Sequence, residues 1–228
     1  KIYILDTGVD LNHPSLNTPN DECKTFVFGE NKGDRNGHGT HVAGIAAARP
    51  ATIGDPPVSI CGGVSAGATI VSLKVLDRLG HGKWSYLNLA FDHLAIVGKP
   101  GDVVNMSLGA YCVDNCENSV PELRDAIKNL AGKGIFIVMA AGNDAGYASM
   151  TLPGCINGSN IFTVGSIDCL GGCRFYSNYD ALVVDWLAIG TNVVSTYKND
   201  RYAVMSGTSM STAVVTGIIH AKGGPPAT

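Results

Sequence analysis

The feature that most constrains the fold is an alternation of short apolar, β-branched runs with longer helix-like segments. The clearest strand-like runs cover residues 1–5, 69–75, 103–106 and 135–140. The helix-like segments between them cover residues 41–49, 85–97 and 119–133, and the last opens with a capping box of Ser119 and Glu122. Such alternation favours a parallel sheet covered by helices on both faces. We therefore predict an α/β protein, a doubly wound sandwich of three layers around a mostly parallel central sheet.

The last third of the chain has a different pattern. Short strand-like runs at residues 161–166, 182–187 and 192–196 precede a final helix over residues 208–220. No internal repeat or low-complexity linker interrupts the chain, and its 228 residues, 45% of them hydrophobic, are enough to bury one sizeable core. We expect residues 1–228 to form a single domain.

Charge and hydropathy exclude two classes of partner. The formal charge of −3, without a Lys/Arg-rich run, gives no electrostatic footprint for nucleic acid or an anionic membrane surface. No apolar stretch approaches the roughly 20 residues of a membrane helix. We expect neither nucleic acid nor membrane as a partner.

The seven cysteines indicate an oxidising compartment. Two close pairs, Cys112/Cys116 and Cys169/Cys173, are spaced for disulfides, although a C-x-x-x-C pair is also a conceivable zinc ligand set. Lys1 leads directly into an apolar run without a signal peptide, so the chain reads as a mature form or a fragment. The cysteines predict a secreted, extracellular protein with disulfide bonds.

Asp6 is the first candidate for chemistry. In parallel α/β sheets, functional residues gather where strands end at their carboxyl edge, and Asp6 follows a buried run directly. An Asp before Thr7 and Gly8 also caps turns, and Asp-Thr-Gly is the signature of aspartic proteases. Only one copy is present and the α/β alternation does not suit that all-β fold, so the aspartic protease is the weaker reading.

His38 lies between Gly37 and Gly39 at the start of the Ala-rich segment. A helix N-terminus disfavours a permanent imidazolium, which suits a base that must be neutral before it accepts a proton. His41 follows three residues later and raises the alternative of a metal site, but no acidic or Cys partner lies at ligand spacing. We predict that His38 acts as a general base.

Ser209 and Asn143 complete the candidate chemistry. Ser209 lies in the first turn of the last helix, after a glycine that permits a sharp entry, and is an N-cap unless a base activates it. Asn143 follows a buried strand, where an amide either caps a turn or donates to a developing oxyanion together with the backbone N–H of Ser209. The strand that ends at Ser107 is able to pair with an extended peptide.

Taken together, these segments resemble the subtilase family. The matching motifs are Ile-Leu-Asp6-Thr-Gly, His38-Gly-Thr-His-Val-Ala-Gly, Asn-Met-Ser107-Leu-Gly, Ala-Ala-Gly-Asn143 and Ser-Gly-Thr-Ser209-Met. They occur in that family's order of Asp, His and Ser. The resemblance implies a subtilisin-like fold and a serine endopeptidase in which Ser209 attacks the peptide carbonyl, His38 transfers the proton and Asp6 orients the imidazole. Asn143 would hold the oxyanion.

The resemblance implies further residues and partners. The segments that flank the substrate backbone would include Ser107, Leu108, Gly109, Leu79 and Gly80. Ala140, Ala141 and Gly142, with Gly109, would line a roomy apolar specificity pocket. Asp185 matches an acidic position near a structural calcium in some members. Polypeptides would be the substrates, a cleaved inhibitory pro-segment a partner, and catalysis would need no cofactor.

The sequence also departs from the family pattern. After Met210 the usual proline and histidine are replaced by Ala213 and Val214. Proline influences how a helix begins, and so where Ser209 points. The segments before Asp6 and after the last helix are shorter than usual, which predicts a catalytic domain lacking parts of both ends. A non-catalytic subtilase fold that binds peptides is the alternative.

Overall fold

The computed structural model describes residues 1–54, 57–113 and 116–225. In chain order its strands are β1 (Ile2–Asp6), β2 (Lys24–Thr25), β3 (Ala51–Ile53), β4 (Val58–Ile60), β5 (Ile70–Lys74), β6 (Val103–Met106), β7 (Ala110–Tyr111), β8 (Phe136–Ala140), β9 (Thr151–Leu152), β10 (Ile161–Ile167), β11 (Trp186–Ile189), β12 (Val193–Tyr197) and β13 (Arg201–Met205). The helices are α1 (His38–Ala47), α2 (Trp84–Val97), α3 (Cys116–Ser119), α4 (Pro121–Gly132) and α5 (Thr208–Lys222), with a short 3₁₀ turn at Ala148–Met150.

A seven-stranded sheet forms the centre of the fold. Its strand order is β11-β10-β8-β6-β1-β5-β2, and neighbouring strands pair in parallel. From β1 the chain adds strands first on one side, through β5, and then on the other, through β6 and β8. Ligand sites of such sheets form at this reversal, beyond the carboxyl ends of the strands. The predicted parallel sheet is confirmed.

Helices cover both faces of the sheet, so the predicted three layers are confirmed as well. On one face, α2 and α4 pack through Phe91, Leu123 and Ile127 against buried side chains of β5, β6 and β8. On the other face, α1 and α5 pack against each other and the sheet, with Val42 and Ala213 among the buried residues. A separate antiparallel hairpin of β12 and β13 lies against α1.

Some predicted boundaries were wrong. The capping box does not form, because Pro121 starts α4 and the Ser119 hydroxyl donates instead to the Cys116 carbonyl, 2.8 Å away. The strand predicted at 182–187 lies later, at Trp186–Ile189, after a turn around Asp180. The second strand of the β12–β13 hairpin was not predicted, and none of its residues is fully buried.

The predicted disulfides are not formed in this structure. Cys169 and Cys173 are exposed free thiols, and the turn between them is closed by the Asp168 carboxylate, which accepts N–H bonds from Leu170 and Gly172 at 2.9 Å each. Cys116 is a buried free thiol. Burial and the neighbouring thiols of Cys112 and Cys155 raise its pKa.

In the ranges 1–54, 57–113 and 116–225, none of the helices has the length and apolarity needed to cross a bilayer.

Candidate active site

Asp6 and His38 form the most closely coupled pair at the carboxyl edge of the sheet. Asp6 ends β1, is fully buried, and contacts His38 Nδ1 through Oδ1 at 2.8 Å and Oδ2 at 2.9 Å. The N–H of Thr7 also donates to Asp6 Oδ1 at 2.7 Å. A carboxylate in this position makes Nδ1 the protonated nitrogen, which leaves Nε2 free to act as a base. Because the partner of Asp6 is an imidazole and the sheet is parallel, the aspartic protease reading is rejected.

The pKa of His38 differs from the low value that its place at a helix N-terminus predicts. Burial lowers its pKa, but the charge and hydrogen bond of Asp6, aided by the charge of Asp34, outweigh burial, and the pKa lies above its ordinary value. The net direction is opposite to the one expected for a helix N-terminus. The arrangement stabilises the imidazolium that forms when His38 accepts a proton.

His41 has a separate, structural position. It is fully buried, and its Nε2 lies 3.1 Å from the Val193 carbonyl and 3.0 Å from that of Ala203. Burial is the main cause that lowers its pKa to about 4, so the ring is neutral at pH 7 and joins α1 to the β12–β13 hairpin. A metal site shared by His38 and His41 is rejected on this geometry.

The residue before His38 must be glycine. Gly37 has φ 112°, and a Cβ there would lie 2.2 Å from ring atoms of Tyr197. The Tyr197 hydroxyl donates to the Asn36 carbonyl at 2.9 Å, which fixes the ring in that place. The hairpin therefore supports the start of α1.

Ser209 is the second residue of α5, close to the end of β6. Its hydroxyl donates to the Ser107 carbonyl at 3.3 Å, and its own carbonyl accepts the Ser107 hydroxyl at 2.9 Å. No Ser209–His38 hydrogen bond occurs among the described residues. Catalytic hydrogen bonds of this kind often tighten only when a substrate binds. Ala213, which replaces the usual proline, is buried in the core shared by α1 and α5. Because α5 still begins at Thr208, Ser209 stays in the first helical turn without that proline.

Asn143 lies beyond β8 and is oriented by α5. Its Oδ1 accepts the N–H of Thr208 at 2.9 Å and the Thr208 hydroxyl at 3.1 Å. Because a backbone N–H requires an acceptor, this contact fixes which end of the amide faces α5. The Nδ2 group is left to donate towards the cavity that Asn143 and Ser209 both line.

Two adjoining cavities form the cleft, and Ser107, Leu108, Gly109 and Ala110 line both. The larger, about 610 Å³, is bordered by His38, Gly80 and Trp84, and the smaller, about 290 Å³, by Ser209, Asn143, Ala140 and Gly142. Two predicted substrate residues lie elsewhere: Ala141 is fully buried with Ala148 and Val183, and Leu79 is largely exposed outside the lining. Asp144 also lines the smaller cavity, so its wall is not purely apolar.

The surroundings of Asp185 do not fit a calcium ion. Its Oδ2 accepts the N–H of Thr163 at 2.8 Å, and burial raises its pKa, which disfavours the charged form that a cation requires. Across the part of the chain that the structure describes, no group of three or more His, Cys, Asp or Glu side chains is arranged to hold a metal ion. This result applies equally to the zinc alternative for the cysteines.

Several supporting residues were missed by the sequence analysis. Asn105, fully buried in β6, accepts the Thr216 hydroxyl at 2.9 Å and donates to the Ser107 hydroxyl at 2.9 Å, which in turn donates to the Ser209 carbonyl. This chain of hydrogen bonds fixes the end of β6 to the start of α5. A fully buried lysine, Lys74, lies opposite Asp6 in the strand register. The one signal in the sequence for these supporting residues was a lysine inside an apolar predicted strand, at residues 69–75.

The sequence model described as "Subtilase family" (Peptidase_S8) matches residues 1–221. The chain belongs to the subtilase family. This subtilase is 35% identical to "Thermophilic serine proteinase" of Bacillus sp. (strain AK1), over 96% of the chain and 50% of that protein. It is 32% identical to "Major intracellular serine protease" of Bacillus subtilis (strain 168), over 96% of the chain and 66% of that protein. A solved structure titled "Crystal structure of a cold adapted subtilisin-like serine proteinase" superposes with a TM-score of 0.83 at 29% identity, over 97% of this chain and 74% of the other. This subtilase thus spans between half and two thirds of the length of these two curated relatives.

The prediction of a secreted, extracellular protein was wrong, because it depended on the cysteine count. A relative that matches nearly the whole subtilase chain is named an intracellular protease. Because the predicted disulfides do not form either, the cysteine count does not identify an extracellular compartment.

Proposed function

We propose that this subtilase is a serine endopeptidase that hydrolyses polypeptides with Ser209 as nucleophile. The observation that carries the proposal is the Asp6–His38 pair, in which both carboxylate oxygens lie within 2.9 Å of Nδ1. Bound in this way, the imidazole presents Nε2 as an acceptor for the Ser209 proton. Membership of the subtilase family supports the same assignment.

In the proposed reaction, Ser209 Oγ rotates away from the Ser107 carbonyl, transfers its proton to His38 Nε2 and attacks the substrate carbonyl carbon. The imidazolium that results is stabilised by the buried Asp6 carboxylate, and it then protonates the leaving amine. Water repeats the sequence on the acyl-enzyme and releases the acid. No cofactor takes part in these steps.

The oxyanion is proposed to bind between Asn143 Nδ2 and the backbone N–H of Ser209. Two contacts support this role: the Thr208 bonds that hold the Asn143 amide, and the cavity that Asn143 and Ser209 share. Donors fixed before the reaction stabilise developing charge without reorganisation at the moment of attack.

The substrate is proposed to lie along residues 107–109, which line both cavities, with one side chain in the smaller cavity. Ala140 and Gly142 leave room in that cavity, and Asp144 adds a negative charge to its wall. We therefore expect it to accept apolar side chains and to tolerate a basic one. Gly80 also lines the larger cavity.

We further propose that residues 1–228 act as one catalytic domain, because the central sheet collects residues from both ends of the chain, from Ile2 in β1 to Ile189 in β11. An inhibitory pro-segment stays a prediction from the family resemblance.

Hydrolysis of a denatured protein by wild type and by Ser209→Ala tests the proposal. We expect wild type to release peptides and Ser209→Ala to lose nearly all activity, with Ser211→Ala as a matched control in the same helical turn. If folded wild type is as inactive as Ser209→Ala, the endopeptidase proposal fails and the non-catalytic alternative is favoured. Resistance of the activity to an acid-protease inhibitor separates it from an aspartic protease.

A further inference from the structure

The first turn of α1, which begins with His38, is capped from outside the helix. Its N-cap is Gly37, which has no side chain to accept a hydrogen bond. The first N–H groups of a helix nevertheless need acceptors. The His38 N–H donates to Asn36 Oδ1 at 3.2 Å, the Gly39 N–H to Thr7 Oγ1 at 3.0 Å and the Thr40 N–H to Asp34 Oδ2 at 3.0 Å.

Asp34 is the residue on which these contacts converge. Its Oδ1 accepts the N–H groups of Asn36 at 2.9 Å and Gly37 at 2.8 Å and the Thr7 hydroxyl at 3.0 Å. Its Oδ2 accepts both the N–H of Thr40 and the Thr40 hydroxyl, the latter at 2.6 Å. Five donors thus occupy both oxygens of one carboxylate, and all five belong to the loop before α1, its first turn or the turn after β1.

Thr7 connects this carboxylate to Asp6. Its N–H donates to Asp6 Oδ1, and its hydroxyl joins Gly39 in α1 to Asp34. The two elements that carry Asp6 and His38, the end of β1 and the start of α1, therefore share Thr7 and Asp34 as direct links.

We propose that Asp34 is a positioning residue that holds His38 in register with Asp6. The inference rests on the proposed function in that His38 is taken to act as the base. Asp34 acts through the helix start and through its charge, and it does not touch a reacting atom.

Asp34 also affects the pKa of His38 through its negative charge, and the direction of this effect is defined. The charge of Asp34 is among the influences that raise the pKa of His38, so replacing Asp34 by a neutral residue lowers that pKa. Among the described residues, the other titratable groups near His38 are Asp6 in β1, His41 in α1 and Tyr197 in β12, and His81 and Lys83 line the same cavity.

The first test does not depend on proteolysis. In the Ser209→Ala background, the pKa of His38 is measured by NMR titration of labelled histidine, with His38→Gln used for assignment. We expect Asp34→Asn to lower it, because the variant loses the negative charge. The matched control is Asp168→Asn, which also removes a carboxylate that accepts backbone N–H bonds but lies in the turn after β10. A pKa of His38 that is unchanged, or shifted equally in the control, overturns the proposal.

The second test is kinetic. Asp34→Ala should lower kcat about 10²-fold with little change in KM, since a misplaced base costs rate rather than binding. Asp34→Asn keeps an oxygen acceptor and should lose less. If Asp34→Ala does not fold, Asp34→Asn decides alone: a kcat equal to that of Asp168→Asn contradicts the positioning role. If wild type shows no hydrolysis, the proposed function fails, while the titration still decides whether Asp34 controls the basicity of His38.

Discussion

Replacing Lys74 tests how much the buried lysine opposite Asp6 contributes to the stability of the fold. Its side chain is fully buried at the end of β5, opposite Asp6 in the parallel register. Nζ donates to the Thr7 carbonyl at 2.5 Å and the Leu76 carbonyl at 2.8 Å, and lies 3.1 Å from Glu30 Oε2. Two of the ammonium protons therefore have carbonyl acceptors, and the contact with Glu30 is an ion pair. Thr7 is the residue that follows Asp6.

Lys74→Met keeps the length of the side chain and removes its charge. Two carbonyls then lose a donor, and the Glu30 carboxylate, with a side chain only 14% exposed, loses its cation. Breaking a buried pair by removing one partner costs about 3–5 kcal/mol. We expect the free energy of unfolding to fall by about that amount. Denaturant unfolding in the Ser209→Ala background, which avoids self-digestion, measures it.

Two further variants make the result interpretable. Lys24→Met removes an exposed lysine from the neighbouring strand β2, and should change stability by no more than about 0.5 kcal/mol. Lys74→Met with Glu30→Gln should recover part of the loss, because no uncompensated charge then stays buried. A loss below about 1 kcal/mol for Lys74→Met, or no recovery in the double variant, would refute this account of the ion pair.

Four other predictions concern the cleft and its pH dependence. Asn143→Ala should lower kcat about 10²–10³-fold with little change in KM, the scale set by loss of the oxyanion donor in subtilisin; an unchanged kcat contradicts its role. The acidic limb of kcat/KM should follow a pKa above about 6.5, because Asp6 and Asp34 raise that of His38, and a limb below that value argues against His38 as the base. Asp144→Asn should lower kcat/KM for peptides with a basic side chain at the cleavage site several-fold more than for apolar ones, and parallel changes would remove Asp144 from the pocket wall. Burial raises the pKa of Glu30, but the hydrogen bond from the Arg78 N–H and the charge of Lys74 lower it below its ordinary value. The stability that Glu30 contributes should therefore be complete above about pH 4.3 and be lost at lower pH. An equally steep loss of stability in acid for Glu30→Gln contradicts this.

The parallel sheet and the positions of Asp6, His38 and Asn143 were predictable because each follows or precedes a strongly apolar segment. A buried strand ends at its last apolar residue, and the next polar side chain emerges at the carboxyl edge. The capping box failed for a local reason, since Pro121 starts the helix where Ser119 was expected to.

The supporting residues were beyond sequence reasoning because their roles depend on contacts between distant segments. Asp34 meets Thr7 across 27 positions, and Asn105 meets Thr216 across 111. Nothing in the residues around Asn105 indicates that it will meet Thr216, and the local donors of Asp34 do not show that Thr7 will join them. The pKa of His38 likewise depends on burial, which lowers it, and on Asp6, which raises it from a position 32 residues earlier in the chain.

The most direct test of the central claim is covalent labelling with an organofluorophosphate. An activated serine displaces fluoride and forms a phosphoester, whereas an ordinary hydroxyl does not react. We predict one label per folded molecule, located at Ser209 by peptide mass mapping and lost in His38→Ala. Labelling that is absent in the folded protein, falls on another residue, or persists undiminished in His38→Ala would contradict an Asp6–His38–Ser209 catalytic set.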